Sequence, residues 1–223
     1  MPPPAPLAVA KSAARSLVAW RLAEALLLFV ALPLLVRARV IPVPRLLLLA
    51  AVTGGAVVVL ARDRFFDLAT LWSGRLRPAL PGILARSALA AALIAALAAW
   101  LAPERLLSLP RSQPLVWVAG LVLYPLLSAW PQEVLYRAFF FRRYAVLFPE
   151  PSAMVAASGV AFALLHLVYP NLLAPLLSLP AGLVLAWRYR RGDGMGPVWL
   201  EHSLYGLLLF TLGLGGFFYD GRG

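Results

Sequence analysis

The sequence predicts an all-α protein, a polytopic transmembrane helix bundle with about seven spans. Of its 223 residues, 62% are hydrophobic and 13% are charged, and the mean hydropathy is +0.85. A soluble domain is typically about 45–50% apolar and about 25% charged, so a soluble fold of this length could not bury so much apolar surface. The apolar residues also lie in long runs separated by short basic segments, which is the pattern of helices that cross a bilayer.

Seven apolar runs approach or reach the length of about 17–25 residues that a membrane-spanning helix needs. In chain order they lie at 17–36, 45–61, 82–102, 114–147, 152–169, 172–189 and 197–215. The fourth run is longer than a bilayer requires, so we expect it to tilt, to kink at Pro125 or Pro131, or to extend into the interface. Segment 62–81 mixes Arg, Phe and Trp, which is typical of an amphipathic interfacial segment.

The same pattern divides the chain into four parts. Residues 1–16 are rich in Pro and Ala and are expected to form a flexible cytoplasmic tail, followed by the N-terminal membrane helices at 17–112. Residues 113–216 are expected to form the core that carries the chemistry, and 217–223 a C-terminal tail. The first apolar run lacks a small-residue cleavage site, which favours a membrane helix over a removable signal peptide.

Charge indicates orientation and excludes some partners. The net charge is +11, but the basic residues lie mostly between apolar runs, so we expect contact with lipid headgroups and no nucleic acid. With the N-terminus in the cytoplasm, twelve Lys and Arg fall on the inner side and six on the outer side, as the positive-inside rule requires. The Ala-, Leu- and Arg-rich composition is typical of a GC-rich bacterial genome, and a bacterial plasma membrane is therefore the expected location. The absence of cysteine excludes disulfides, thiol nucleophiles and thiolate metal sites.

Ionisable groups inside the apolar runs are the candidate functional residues, because such groups are costly in a membrane and usually face a cavity or a partner. They are Arg21, Glu24, Glu133, Arg137, His166, Glu201 and His202. Glu133 and Arg137 are four residues apart and can pair on one helix face. A purely structural ion pair is the alternative interpretation of these two.

Both histidines of the protein lie in apolar helices, His166 in the fifth run and His202 in the seventh. Two imidazoles and the carboxylate of Glu133, from three helices, are the usual content of a hydrolytic site, with a base to activate water and donors for an oxyanion. The same three side chains could instead bind zinc. Spacing alone does not show that the three meet, so buried structural histidines stay an alternative.

At these residues the chain resembles the CPBP family of CAAX prenyl endopeptidases and bacteriocin-processing intramembrane proteases. The family pattern is E-E-x-x-x-R on one helix, F-x-x-x-H on the next, and H-x-x-x-N or D on a later one. Here the three elements read QEVLYR at 132–137, FALLH from Phe162 to His166, and HSLYG from His202 to Gly206. The resemblance covers about 114–215, and three elements in order are far more specific than any one of them.

The resemblance implies roles for four positions. In the family the first Glu and the first His activate water, while the second His and the Asn stabilise the oxyanion; here these positions are Gln132, His166, His202 and Gly206. Gln132 cannot accept the proton of water as a carboxylate does, and Gly206 has no side-chain amide. Three interpretations follow: Glu133 is the base and Gln132 positions water or the substrate carbonyl, the protein is an inactive relative, or its chemistry is altered.

The resulting expectation is an intramembrane endopeptidase of the glutamate type, acting on a membrane-associated protein or peptide. Glu133 would be the base, His166 would assist the water, and His202 would stabilise the oxyanion, with Arg137 holding Glu133 in place and Phe162 packing under His166. No metal is expected to be required.

Two other functions stay open at this point. Gln132 and Gly206 favour a catalytically inactive membrane scaffold or immunity protein. The buried charges also fit a small transporter, although the sequence lacks the inverted repeats common in transporters.

Overall fold

A computed structural model of the protein describes the backbone of residues 7–219 and the side chains of residues 14–219. All regular structure in that part of the chain is helical, which confirms the predicted all-α class. Its long helices are α1 (Leu7–Leu26, continued by Leu27–Ala31 and Leu32–Arg37), α2 (Arg45–Ala61), α3 (Leu76–Leu101), α4 (Pro114–Arg143), α5 (Pro151–Leu165), α6 (Leu173–Arg190) and α7 (Met195–Thr211). Shorter turns join them at Leu68–Trp72, Pro103–Arg105, Ser108–Ser112, Ala145–Leu147, His166–Val168 and Gly215–Phe218.

Each predicted apolar run coincides with one of these helices, but the number of spans is not confirmed. Four stretches in the described part of the chain are long and apolar enough to cross a membrane: Ala14–Arg37, Leu76–Leu101, Pro114–Arg143 and Pro151–Val168. The helices α2 and α7 have 17 residues each. The helix α6 ends with Arg188 and Arg190, which lower its hydropathy.

The outer surface is apolar, as expected of an integral membrane protein. Large side chains such as Trp20, Trp100 and Leu115 are 64%, 78% and 84% exposed on the outside of the bundle. In water this surface would be unfavourable, whereas lipid tails accommodate it. The cytoplasmic placement of the N-terminus stays a prediction. Residues 1–6 of the expected N-terminal tail and 220–223 of the C-terminal tail lie outside the described residues, and α1 begins at Leu7.

The long helix α4 is irregular where the first motif lies. A single α-helical turn at Trp130–Glu133 is flanked by π-helical turns at Pro125–Ala129 and Val134–Phe139. Pro125 and Pro131 have no amide proton to donate to the preceding turn, so the regular hydrogen-bond ladder is interrupted there. Widened turns of this kind occur frequently at functional sites.

Close packing of α5 on α6 positions the second motif. A Cβ at Gly159 would lie 2.6 Å from Leu183 Cδ2, and a Cβ at Gly182 would lie 2.9 Å from Phe162 Cδ1. Glycine at both positions therefore allows the two helices to approach, as small residues do in membrane bundles. The approach holds the Phe162 ring against α6.

Candidate active site

The buried carboxylate of Glu133 on α4 has two charged or ionisable partners. Its Oε1 atom lies 2.7 Å from Nδ1 of His202 on α7, and its Oε2 atom lies 3.1 Å from Nε of Arg137. Glu133 and Arg137 are both fully buried. The contact between them is an ion pair whose angle falls short of a hydrogen bond. The carboxylate therefore links a histidine on one helix to an arginine on another turn of its own helix.

Arg137 has further partners that fix its position. Its Nη1 donates to Ser158 Oγ at 3.0 Å and to the Tyr136 carbonyl at 3.3 Å, and the Ser158 hydroxyl donates to the same carbonyl at 2.7 Å. The guanidinium carbon lies 5.2 Å from the centre of the Phe162 ring. A buried charge needs such partners, and Arg137 finds them on α4 and α5.

His166 lies at the C-terminal end of α5 and points its Nδ1 atom at the Phe162 carbonyl, 2.9 Å away. A carbonyl oxygen only accepts, so this contact assigns the proton to Nδ1 and leaves Nε2 as an acceptor. The Phe162 ring centre is 4.9 Å from the His166 ring and 5.3 Å from the His202 ring. The expected packing of Phe162 under His166 is present, and the same ring also contacts the imidazole of His202.

The turn that carries His166 is held by arginines that the motifs do not include. Arg37 Nη1, at the end of α1, donates to the carbonyls of Leu167 and Tyr169 at 2.9 and 2.7 Å. Arg45 Nη2, at the start of α2, donates to the Val168 carbonyl at 3.3 Å. The N-terminal helices therefore fix the backbone directly after His166.

A cavity of about 420 Å³ joins the motif positions, and its wall is mostly apolar. Gln132, His166, His202 and Gly206 all line it, whereas Glu133 does not. Adjacent residues of a helix point about 100° apart, so a helix that turns Gln132 into the cavity turns Glu133 away from it. The sequence predicts Glu133 as the base that activates water; in the structure its carboxylate lies behind His202 and does not line the cavity.

Gln132 has one free polar atom. Its Nε2 donates to Ser128 Oγ at 2.8 Å, while its Oε1 is buried without a hydrogen-bond partner among the described residues. A buried amide oxygen that lacks a partner is costly, and a bound water or substrate N–H would relieve that cost. The position is therefore suited to holding a ligand, although it cannot act as a base.

Tyr124 is the site residue that sequence reasoning missed. A Cβ built on Gly206 would lie 2.0 Å from the Tyr124 hydroxyl oxygen, so the tyrosine fills the space that a side chain at 206 would need. The Tyr124 ring lies 6.2 Å from the His202 ring and lines the cavity. None of the described residues accepts a hydrogen bond from its hydroxyl. Only a comparison of positions 124 and 206 in space could have found it.

The sequence left open that Glu133, His166 and His202 could bind zinc. The described residues contain no group of three or more His, Asp or Glu placed to hold a metal ion. The Glu133 carboxylate binds His202 Nδ1 and Arg137 rather than sharing a metal ligand sphere with the two imidazoles. Glu201, the carboxylate next to His202, pairs with Arg86 outside the cavity lining.

Fold and site together define the class of protein: an integral membrane helix bundle with two imidazoles at the wall of an internal cavity and a buried carboxylate behind one of them. Residues 113–208 match the family described as Type II CAAX prenyl endopeptidase Rce1-like, which confirms the predicted resemblance to the CPBP proteases over this segment. All three motif elements lie inside the matched range. No curated protein and no solved structure was found to be significantly similar to the chain.

Proposed function

We propose that the protein is an intramembrane endopeptidase that hydrolyses a peptide bond in a membrane-associated protein or peptide. One observation carries the proposal: all four motif positions line one cavity, and a carboxylate is bonded to the back of one of its two imidazoles. The match to a protease family supports the same reaction. An apolar cavity between helices also suits a hydrophobic peptide segment.

The proposed base is His202, with Glu133 as a positioning residue that acts through it. The carboxylate accepts the Nδ1 proton of His202, which fixes the tautomer and leaves Nε2 free to take a proton from water. The carboxylate also stabilises the imidazolium that forms, as the aspartate carboxylate of a Ser-His-Asp triad does. In this way the chain supplies a glutamate to the reaction although Gln132 stands at the position of the family base.

His166 is proposed to hold the attacking water together with His202. Its Nδ1 donates to the Phe162 carbonyl, so its Nε2 can accept the second proton of the water in a hydrogen bond. As the water oxygen bonds to the carbonyl carbon, its proton passes to His202 Nε2. The imidazolium then gives that proton to the leaving amine nitrogen as the C–N bond breaks, and the second water proton stays on the new hydroxyl group. The products are an amine and a carboxylic acid, which then ionises in water.

Tyr124 and Gln132 are proposed to stabilise the oxyanion of the tetrahedral intermediate. The Tyr124 hydroxyl lies where a side chain at position 206 would point, and one proton of the Gln132 amide remains after the bond to Ser128. Both are neutral donors at the wall of a cavity with few competing polar groups, where such donors act most strongly.

The test is hydrolysis of lipid-anchored fluorogenic peptides by the purified protein in liposomes. We expect cleavage by the wild type and none by the His166→Ala and His202→Ala variants. Leu177→Val, which changes the cavity wall without touching a polar group, is the matched control and should keep most of the activity. Full activity in both histidine variants would exclude the proposal.

An inactive relative is the second candidate, favoured by Gln132 and Gly206. Tyr124 weakens this alternative, because it supplies a donor where Gly206 lacks one. If the wild type is inactive and the Gln132→Glu variant cleaves the same peptides, the natural protein is the inactive form.

A further inference from the structure

A second cavity, of about 590 Å³, lies away from the catalytic one and shares no lining residue with it. It is bounded by segment 73–75 before α3, the first turns of α3, the end of α6, and the loop 192–194 before α7. Four of its lining residues are arginines, namely Arg75, Arg86, Arg188 and Arg191, and we call this cavity the arginine pocket.

Two of these arginines form a fixed floor. Arg86 donates to both oxygens of the buried Glu201 at 2.5 and 2.9 Å, and Arg188 pairs with Asp193 and lies 3.9 Å from Glu201. Guanidinium groups held in this way keep their remaining N–H donors in defined directions. The floor is therefore rigid before any ligand binds.

Gly82 leaves the floor open. A Cβ at this position would lie 3.1 Å from Arg86 Nη1 and 3.5 Å from Arg188 Nη1. Both guanidinium groups therefore converge on the space above Gly82, and a larger side chain there would occupy it.

The other two arginines stand at the mouth. Arg75 and Arg191 are exposed, and neither has an acidic partner among the described residues. The Arg191 guanidinium lies 4.6 Å from the centre of the Trp187 ring, which orients it. Four guanidinium groups thus face two carboxylates, Asp193 and Glu201, leaving a surplus of two positive charges. That surplus favours binding of an anionic group such as a phosphate.

Glycines join the two loops that form the rim. Gly74, Gly192 and Gly194 have φ angles of 133°, 87° and 88°, which other residues rarely adopt. A Cβ on Gly194 would lie 2.5 Å from the Gly74 Cα, and the Gly196 amide donates to the Ser73 carbonyl at 2.8 Å. The rim is therefore built by close backbone contact rather than by two independent loops.

From this geometry we propose that the arginine pocket binds a phosphate group, as carried by an anionic phospholipid or by free phosphate. Guanidinium groups match the oxygens of phosphate with paired hydrogen bonds. The pocket lies where α3 and α7 begin and α6 ends, and basic pockets at helix ends with neighbouring tryptophan are typical of headgroup sites.

The proposal can be tested by titrating the delipidated protein in detergent in two arms, short-chain phosphatidylglycerol and inorganic phosphate. Binding is measured by native mass spectrometry and by the rise in unfolding temperature, because a ligand that binds only the folded state stabilises it. The test variant is Arg75→Gln with Arg191→Gln. Its control is Arg62→Gln with Arg64→Gln, which removes the same charge from exposed positions outside the pocket. Gly82→Leu is a second test that leaves every charge in place.

We expect the wild type and the control to bind in at least one arm, and both pocket variants to bind about tenfold more weakly or worse. Binding of phosphatidylglycerol but not of inorganic phosphate identifies a lipid headgroup site. Binding of inorganic phosphate, with or without the lipid, identifies a site for the phosphate group itself. Equal binding by the pocket variants and the control, or no binding in either arm, would overturn the proposal. Peptide hydrolysis is not a readout here, so the result stands apart from that of the proposed function.

Discussion

The Tyr124 hydroxyl occupies the position that a side chain at residue 206 would take, 2.0 Å from the ideal Cβ of Gly206. The two residues are thus complementary: a tyrosine on α4 is possible because α7 has a glycine opposite it. A polar donor is present at this point of the cavity wall, although it comes from a different helix than the family motif uses.

This relationship predicts the effect of removing one hydroxyl. The Tyr124→Phe variant should lose about 10²–10³-fold in kcat with little change in KM, because the donor acts on the oxyanion rather than on the bound substrate. Tyr205→Phe is the matched control: Tyr205 also lines the cavity, but its hydroxyl donates to Glu201. Equal activity of the two variants would show that Tyr124 only packs.

The same pair predicts a rescue. Gly206→Asn alone should be inactive, because its side chain would collide with the Tyr124 ring. Combining it with Tyr124→Ala makes room and provides an amide donor, so the double variant should recover part of the kcat that Tyr124→Ala loses. Steady-state kinetics on the four proteins measure this coupling.

Variants of the ion pair between Glu133 and Arg137 should change folding stability and catalytic activity independently. Glu133→Gln leaves Arg137 buried without its charge partner and should cost about 3–5 kcal/mol of unfolding free energy. Replacing Arg137 by Met in the same chain removes the orphaned charge and should restore most of that stability. Activity should stay low in both, because neither protein has a carboxylate on His202 Nδ1. Recovery of activity along with stability would make Glu133 purely structural.

The hydrogen bonds that Arg37 donates to the turn after His166 should affect catalysis, although Arg37 is not part of any motif. Arg37→Ala removes two hydrogen bonds to the carbonyls of Leu167 and Tyr169, and a displaced His166 should lower kcat by up to about 10²-fold. Arg39→Ala, an exposed arginine two residues away, is the control. In addition, the imidazole NMR signals of His166 should broaden or shift in the Arg37 variant only, which a general loss of stability would not produce.

The contact between Asp63, in the loop after α2, and Arg142 should stabilise the protein in a pH-dependent way. Hydrogen bonds from Arg142 and the Phe65 amide lower the pKa of Asp63 from 3.8 to about 2. A lowered folded-state pKa adds stability above pH 3.8 that disappears as the pH falls toward 2. The difference in unfolding temperature between the wild type and Asp63→Asn should therefore be constant near neutral pH and shrink below pH 4. A difference that grows on acidification would contradict this.

The sequence predicts the helices well because their apolar runs are set by composition, which the bilayer requires. Spacing alone does not show that the motif residues meet; the family resemblance groups Gln132, His166, His202 and Gly206, and these four positions line one cavity in the structure. The sequence could not indicate which of the two adjacent residues, 132 or 133, faces that cavity. The π-helical turns of α4 change the directions in which these side chains point, and residue spacing does not encode that change.

Other parts of the site depend on contacts between distant segments. In the sequence, Arg37, Arg45 and Arg86 indicate only orientation. In the structure the first two hold the turn after His166 and the third pairs with the buried Glu201. Nothing within a single apolar run distinguishes such an arginine from one at the headgroups. Tyr124 is hidden for the same reason, since its partner Gly206 lies on another helix.

The most direct measurement of the Glu133–His202 arrangement is ¹⁵N NMR of protein labelled only at histidine. The protein has just two histidines, so each imidazole gives its own assignable signals. We expect His202 to carry its proton on Nδ1 in a strong hydrogen bond, with Nε2 unprotonated, and we expect Glu133→Gln to alter this signal and not that of His166. A His202 protonated on Nε2, or a signal unchanged by Glu133→Gln, would contradict it.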